Sequence, residues 1–295
     1  MTSNPAALVP TAPDSPAPPD WEQITHNVTC PLCEYNLRGL RDPLCPECGY
    51  RFAWPTVLDP NQRRHPYLFE HHPERNIWSF SRTLLEHLRP MRFWKTLDAA
   101  HLTKPARIVR YWAIYALVVF LPPLVGAVQA VRYHLRWSRP QAGHYFYYVL
   151  QSLGWDGLCM MALSAILLVL FPWFNFLALM VFQQSMRRSR IKNSHVARCA
   201  VYSGDVVLWY ALVAVAGIFW LGTNPRSSQT EQLLALLSLG ALVMAGVNGL
   251  RLWIAYSRYM KFRHALAAVF ASQIMVGLSI LAILLYVPQL LLGSR

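Results

Sequence analysis

The sequence predicts an all-α helical transmembrane bundle of about five spans with a small N-terminal zinc ribbon. Two observations predict this fold. Hydrophobic residues make up 55% of the 295 residues and charged residues only 14%, against roughly 25% charged residues in a soluble globular domain. Four of the six cysteines fall within residues 30–48, as two Cys-x-x-Cys pairs. The composition indicates a membrane domain, and the cysteine spacing indicates a metal-binding domain.

Residues 1–22 are predicted to form a disordered tail. The segment is rich in proline and contains too few apolar residues to bury a core. No basic residue and no continuous apolar stretch occurs in residues 1–20, so a cleavable signal peptide is not expected.

Residues 23–56 are predicted to form the zinc ribbon. The candidate ligands are Cys30, Cys33, Cys45 and Cys48, and eleven residues separate the two pairs. Two such turns present four thiolates, the tetrahedral set that structural Zn²⁺ prefers, with no open position for catalysis. Gly49 follows the second pair and can adopt a left-handed conformation. Glu34 stands at the matching position of the first pair, so a strained turn is expected there.

Two alternatives use the same cysteines. Two disulfides would require an oxidising compartment, and an iron site of the rubredoxin kind would use the same four thiolates. The apolar layer expected around the site comprises Tyr35, Leu37, Leu40, Tyr50, Phe52 and Trp54. The histidines that follow, His65, His71 and His72, are interpreted as solvated linker residues rather than as a second metal site.

Five apolar segments are long enough to cross a hydrocarbon core of about 30 Å. They are residues 111–131, 157–182, 206–222, 233–250 and 266–292, within a transmembrane domain of residues 109–295. The second segment belongs to a longer apolar stretch, and Pro172 is expected to kink or break it.

The distribution of Lys and Arg predicts the orientation of the spans. The more basic flanks precede the first span and follow the second and the fourth, with Arg92, Lys95, Lys104, Arg107, Arg110, Arg187, Arg188, Arg190, Lys192, Arg198, Arg251, Arg258, Lys261 and Arg263. The positive-inside rule places these flanks and the ribbon in the cytoplasm and the C-terminus outside an inner (plasma) membrane. The net charge is +13. Because the Lys and Arg residues lie beside the apolar segments, we interpret them as binding anionic lipid headgroups rather than nucleic acid.

Residues 57–108 are predicted to be a linker that includes an interfacial amphipathic segment. Apolar side chains alternate there with His, Arg and Lys between residues 84 and 104. The sequence Phe93-Trp94-Lys95 is typical of a segment that lies in the headgroup layer.

The spans contain few ionisable groups, and no catalytic motif is found. Asn175, Asn248 and Gln273 are the main polar residues within the spans. Asn248 and Gln273 are interpreted as partners in hydrogen bonds between helices. Ala241, Ala245 and Gly249 repeat at a spacing of four, which permits close helix packing within the chain or in a homo-oligomer.

These observations favour a non-enzymatic membrane protein whose ribbon is a cytoplasmic interaction module with a protein partner. The alternative is a transporter of a small molecule or lipid, with a polar cavity near Pro172, Asn175 and Asn248. A third hypothesis is electron transfer through iron bound by the four cysteines.

Two resemblances follow from these residues. The segment from Cys30 to Leu40, closing with Cys45-Pro-Glu-Cys48-Gly49, resembles the zinc-ribbon heads of uncharacterised planctomycete membrane proteins. This resemblance implies a bacterial inner-membrane protein. Residues 92–290 are weakly similar to the Yip family of five-span proteins, through Phe93-Trp94 and the segment from Ser194 to Ser203. The Yip resemblance implies a five-span topology, without the GTPase binding of eukaryotic members.

Overall fold

The computed structural model describes residues 18–59, 63–137, 145–185, 191–223, 227–262 and 264–292. In these residues the structure is mostly helical and contains no β-strand, only two isolated β-bridges. The helices are α1 (Trp54–Leu58), α2 (Asn76–Glu86), α3 (Pro90–Thr96), α4 (Pro105–Val119), α5 (Leu121–Trp137), α6 (Tyr145–Ser185), α7 (Asn193–Gly204), α8 (Val206–Thr223), α9 (Ser227–Ile254) and α10 (Ala265–Leu292). A π-helical turn, Ala255–Tyr259, extends α9. Most of the tail predicted to be disordered, residues 1–17, lies outside the described residues.

Within the described ranges, five helical segments are long and apolar enough to cross a membrane, which confirms the predicted class of a multi-pass helical protein. They are Pro105–Gln129, Ala162–Phe182, Asn193–Gly217, Ala235–Tyr259 and Ala265–Val287. Each overlaps one of the five predicted spans. The third begins well before the predicted residue 206, because the helix α7 precedes α8 almost without interruption.

The first span consists of two helices. The helix α4 ends at Val119, and α5 begins at Leu121. Pro122 and Pro123 follow at once, and neither has a backbone N–H to bond a carbonyl of the last turn of α4. Prolines are tolerated in the first turn of a helix for the same reason, so they end α4 and start α5.

Pro172 lies inside α6, which continues through it from Tyr145 to Ser185. The predicted break is therefore absent. The proline ring packs against Gly204, the last residue of α7. A Cβ atom added to Gly204 would lie 2.6 Å from Pro172 Cγ and 2.9 Å from its Cβ. Only glycine permits this approach of α6 and α7.

Substituting Gly204→Ala is expected to destabilise the protein. The Pro172 ring is rigid, so the helices must separate, and overpacking of this kind costs about 1–3 kcal/mol. The measurement is the thermal unfolding midpoint of detergent-purified protein. Gly246→Ala in α9 is the matched control, because no atom lies within 4 Å of its added Cβ. An equal midpoint for both variants would contradict the tight contact.

The segment expected to be an interfacial linker is instead packed against the helices. We call the described residues between 18 and 104 the cap. Phe93 and Trp94 are 0% and 2% exposed, and their rings contact Tyr202 and Tyr259. The interfacial interpretation is therefore wrong for Phe93-Trp94. Leu85, Leu88, Met91 and Leu102 do remain exposed apolar residues of this segment.

Candidate metal centre

The two Cys-x-x-Cys turns have the same backbone geometry. We call residues 30–34 the first knuckle and residues 45–49 the second knuckle. In each, the N–H of the fifth residue donates to the carbonyl of the first cysteine, at 2.9 Å. That fifth residue has a positive φ in both turns, 67° for Glu34 and 69° for Gly49. The expected strain at Glu34 is confirmed, because left-handed backbone is costly for any residue with a Cβ.

The four cysteine sulfurs converge on one point. They all lie within 4.8 Å of one another, with Cys30 Sγ 3.7 Å from Cys48 Sγ and Cys33 Sγ 3.5 Å from Cys45 Sγ. Metal–sulfur bonds of about 2.3 Å in a tetrahedron require sulfurs about 3.8 Å apart. A disulfide needs about 2.05 Å, and all four cysteines are free. The spacing therefore fits a metal ion and not two disulfides.

The chemistry of the thiols fits a metal ion as well. Burial raises the pKa of the Cys33 thiol to about 12, so this group is a neutral thiol unless a cation stabilises the charged form. Three of the four cysteines are buried. Four sulfurs at this spacing, largely shielded from water, could together hold one metal ion.

The predicted apolar layer surrounds the site. Leu37, Tyr50, Phe52 and Trp54 are buried, and Tyr35 and Leu40 pack against them. The ring centroids of Phe52 and Trp54 are 5.0 Å apart. Burial of Tyr50, together with the nearby carboxylate of Asp98, raises the pKa of the Tyr50 hydroxyl, which donates a hydrogen bond to that carboxylate.

The first knuckle is bound to the start of α7. The backbone N–H of Lys192 donates to the carbonyl of Leu32 at 2.9 Å. The ring Nε2 of His195 lies 2.9 Å from the carbonyl oxygen of Pro31, and must be the donor because a carbonyl only accepts. Lys192 also pairs with the Glu34 carboxylate at 2.8 Å. The ribbon is thus a fixed part of the structure and not a separate head.

A buried ion pair lies beneath this contact. Glu70 in the cap and Arg198 in α7 are both 0% exposed. The Arg198 Nε and Nη2 atoms donate to the two Glu70 oxygens at 2.8 and 2.9 Å. The carboxylate also accepts from the Tyr202 hydroxyl at 3.0 Å and the Lys104 N–H at 2.8 Å. These hydrogen bonds, together with the attraction between the two charges, offset the free-energy cost of burying them.

All five N–H groups of Arg198 have acceptors. Besides Glu70, they reach the carbonyls of His101 and Leu102 and the hydroxyl of Tyr259. That hydroxyl lies 2.5 Å from His195 Nδ1. A continuous chain of hydrogen bonds therefore runs from Glu70 through Arg198, Tyr259 and His195 to the first knuckle.

A second buried charge cluster surrounds Asp205, at the junction of α7 and α8. Asp205 is 0% exposed and accepts from Arg251 Nη1 at 2.7 Å and the Tyr111 hydroxyl at 2.8 Å. His87 Nδ1 donates to the same carboxylate. This arrangement joins the cap to α4 and α9. Asp205 and Arg251 are therefore ionisable groups buried among the spans, which are predicted to contain few.

Two of the three histidines interpreted as solvated, His65 and His71, are buried, whereas His72 is half-buried. His65 and His71 are 2% and 4% exposed. His71 Nδ1 accepts from the His65 N–H at 2.6 Å, and His71 Nε2 lies 2.8 Å from the carbonyl of Leu102. Both contacts together require a neutral ring. Burial lowers the pKa of His65 to about 3 and of His71 to about 4.

Acidification is expected to destabilise the cap. An unfolded histidine has a pKa of about 6.5, so below pH 6.5 the unfolded chain binds more protons than the folded cap. Stability should therefore fall between pH 6.5 and pH 4, by at most about 1.4 kcal/mol per pH unit for each histidine. The test compares thermal midpoints at pH 7.5, 6.5 and 5.5, with metal content measured at each pH. A midpoint that rises toward pH 5.5 at constant metal content would contradict the expectation.

The three amides of the spans form one cluster. Asn248 Nδ2 lies 3.2 Å from Asn175 Oδ1 and 3.3 Å from Gln273 Oε1. Gln273 Nε2 lies 2.5 Å from Asn175 Oδ1. Asn175 and Asn248 are 0% exposed. These side chains link α6, α9 and α10, which confirms the interpretation of Asn248 and Gln273 as partners between helices and adds Asn175 to them.

Sequence reasoning missed both charge clusters, although one signal was present. His195, Arg198, Tyr202 and Asp205 follow each other at spacings of three or four, which places them on one face of a helix. The pairing of Asp205 with Arg251, in a distant helix, has no comparable local signal.

Comparison with known proteins gives no assignment: no family model, no curated protein and no solved structure matches the chain. The resemblances to planctomycete ribbon proteins and to the Yip family therefore stay predictions. The predicted basic residues Arg187, Arg188, Arg190 and Arg263 lie outside the described residues.

Proposed function

We propose that the protein is a non-enzymatic, multi-pass membrane protein whose zinc ribbon docks a partner protein. The observation that carries the proposal is that the first knuckle is bound to the helices while other residues of the ribbon are exposed. The first knuckle is bound to α7 through Pro31, Leu32 and Glu34. Away from it, Arg41, Asp42 and Leu44 are exposed. A ribbon fixed on one face presents the other rigidly, which lowers the entropy cost of binding.

Zinc is the metal that we propose for the four cysteines. The site is a closed set of four thiolates, and zinc sites of this type are structural. Iron would favour the electron-transfer hypothesis instead. A visible absorption band in the purified protein would identify iron, whereas a zinc protein is colourless.

The proposed location is a bacterial inner membrane, with the cap in the cytoplasm. The Lys and Arg residues on the cap side of the spans support this orientation under the positive-inside rule. A reducing cytoplasm also keeps the thiols available for a metal ion.

The transport alternative has less support. It requires a polar cavity near Pro172, Asn175 and Asn248. Pro172 packs against Gly204, and the two asparagines are fully buried in contact with each other. The polar groups that motivated a transport path thus serve helix packing, which favours the docking function.

The experiment is site-specific photo-crosslinking in the native cells. A photoreactive residue at Leu44, which is 41% exposed, should give one discrete protein adduct. The adduct should disappear in a Cys45→Ser background. The control position is Ile77 in α2, which is 85% exposed and should give no such adduct. The same adduct at both positions, or none at Leu44, would contradict docking, as would substrate turnover or transport by the purified protein.

A further inference from the structure

A large apolar cavity lies among α6, α8, α9 and α10, away from the metal centre. Its volume is about 940 Å³, within the range of about 300–1,000 Å³ typical of small-molecule sites. Small residues of α9 and α10 create the space, with Ala245, Gly246, Gly249 and Gly277 in the lining. A Cβ added at Gly246 or Gly277 would meet no atom within 4 Å.

The cavity offers almost nothing for a polar ligand to bind. The Ser164 hydroxyl donates to the carbonyl of Met160 at 2.7 Å, and the Tyr210 hydroxyl donates to the carbonyl of Leu237 at 3.3 Å. The Gln273 amide is bound within the cluster of span amides, and Ser238 also has a partner. Apart from the indole N–H of Trp253, the remaining lining is apolar. A ligand that forms no hydrogen bonds, a hydrocarbon chain, fits this surface because it leaves no polar group unpaired.

The lining residues also place the cavity at the side of the bundle. Leu242 and Phe270 are 72% and 65% exposed, and both belong to helices that could cross a membrane. In a bilayer this side faces lipid chains. The cavity can therefore be filled from the membrane without passage through water.

One end of the cavity is suited to a phosphate headgroup. Trp253 of α9 and Leu266 of α10 line that end, and tryptophan is typical of the membrane–water interface. The connection between the two helices carries exposed Arg258 and His264. Arg258 is five residues after Trp253, and His264 is two residues before Leu266. A cationic group in this connection complements an anionic lipid.

We propose that this cavity binds one acyl chain of an anionic phospholipid, with the phosphate at Arg258 and His264. A second copy of the chain fits less well. The small-residue face that the sequence assigns to helix packing, Ala241, Ala245 and Gly249, lines a recess and does not form a flat surface for another helix. The proposal does not depend on the docking function of the ribbon.

The test is native mass spectrometry of detergent-purified protein titrated with dioleoyl phosphatidylglycerol and, separately, with dioleoyl phosphatidylcholine. Wild-type protein should retain one phosphatidylglycerol more tightly than further lipids. Gly246→Leu combined with Gly277→Leu fills the cavity and should weaken that first binding at least tenfold. The control is Val243→Leu, an exposed position of α9 outside the cavity lining, which should bind as the wild type does. Arg258→Gln should reduce the preference for phosphatidylglycerol over phosphatidylcholine.

Thermal unfolding and the oligomeric state are measured on every variant, so that a folding defect is recognised. A folded cavity-filled variant that binds phosphatidylglycerol as tightly as Val243→Leu does would overturn the proposal. A change from dimer to monomer in that variant, with first-lipid binding unchanged, would assign the cavity to an interface between copies instead. If the double variant does not fold, Gly277→Leu alone is used, with the same outcomes.

Discussion

Glu70→Gln is expected to lower the stability of the protein by about 3–5 kcal/mol, the usual cost of removing one partner from a buried ion pair. The substitution leaves the Arg198 guanidinium charged and fully buried without its counter-charge. Folded proteins are stable by only about 5–15 kcal/mol, so the cap should be close to unfolding. In detergent the thermal midpoint should fall on the order of 10 °C.

Glu74→Gln is the matched control for this prediction. Glu74 is four residues after Glu70 in sequence, but its side chain is 60% exposed, and we expect a change within about 0.5 kcal/mol. The double variant Glu70→Leu with Arg198→Met should recover part of the loss, since it removes both charges together. Equal midpoints for Glu70→Gln and Glu74→Gln would show that the ion pair does not hold the cap.

Cys45→Ser is expected to remove the bound metal completely. Three remaining thiolates leave the tetrahedral set incomplete, and structural zinc sites contribute about 10–16 kcal/mol to the folding of small domains. Elemental analysis of purified protein should find one metal ion per chain in the wild type and none in the variant. Circular dichroism should still report the span helices, because their apolar faces do not depend on the ribbon.

Cys159→Ser is the control for the metal prediction. Cys159 lies in α6 outside the four-cysteine cluster, so this variant should keep its metal ion. A Cys45→Ser protein that retains a full equivalent of metal would contradict the assignment of the ligands.

The metal centre and the membrane class could be predicted because both have local signals. Two Cys-x-x-Cys turns determine their own backbone geometry, and even the strain at Glu34 follows from the glycine at the matching position, Gly49. An apolar segment of about 20 residues likewise needs no partner to be recognised.

The cap could not be predicted because its structure depends on distant contacts. Phe93 and Trp94 have the composition of an interfacial segment, and only the positions of Tyr202 and Tyr259 show that they are buried. Glu70 appears in sequence as one acidic residue of a linker. Its role depends on Arg198, which lies in α7, beyond the first two predicted spans in sequence.

The packing of Pro172 could not be predicted from the sequence, for a different reason. Proline inside a helix can break it, but α6 continues through Pro172. The proline ring fills the space left by the missing side chain of Gly204. The complementary glycine lies in another helix, so local sequence could not identify the pair.

The central claim is that the metal-bound ribbon is held against α7, and hydrogen–deuterium exchange of residues 191–204 tests it most directly. The comparison is between the metal-loaded wild type and the same protein after the metal is removed with a chelator. The Lys192 amide, bonded to the Leu32 carbonyl, and the first turn of α7 should exchange slowly with metal and at least tenfold faster without it. Equal protection in both states would contradict the claim and show that the ribbon does not stabilise the membrane helices.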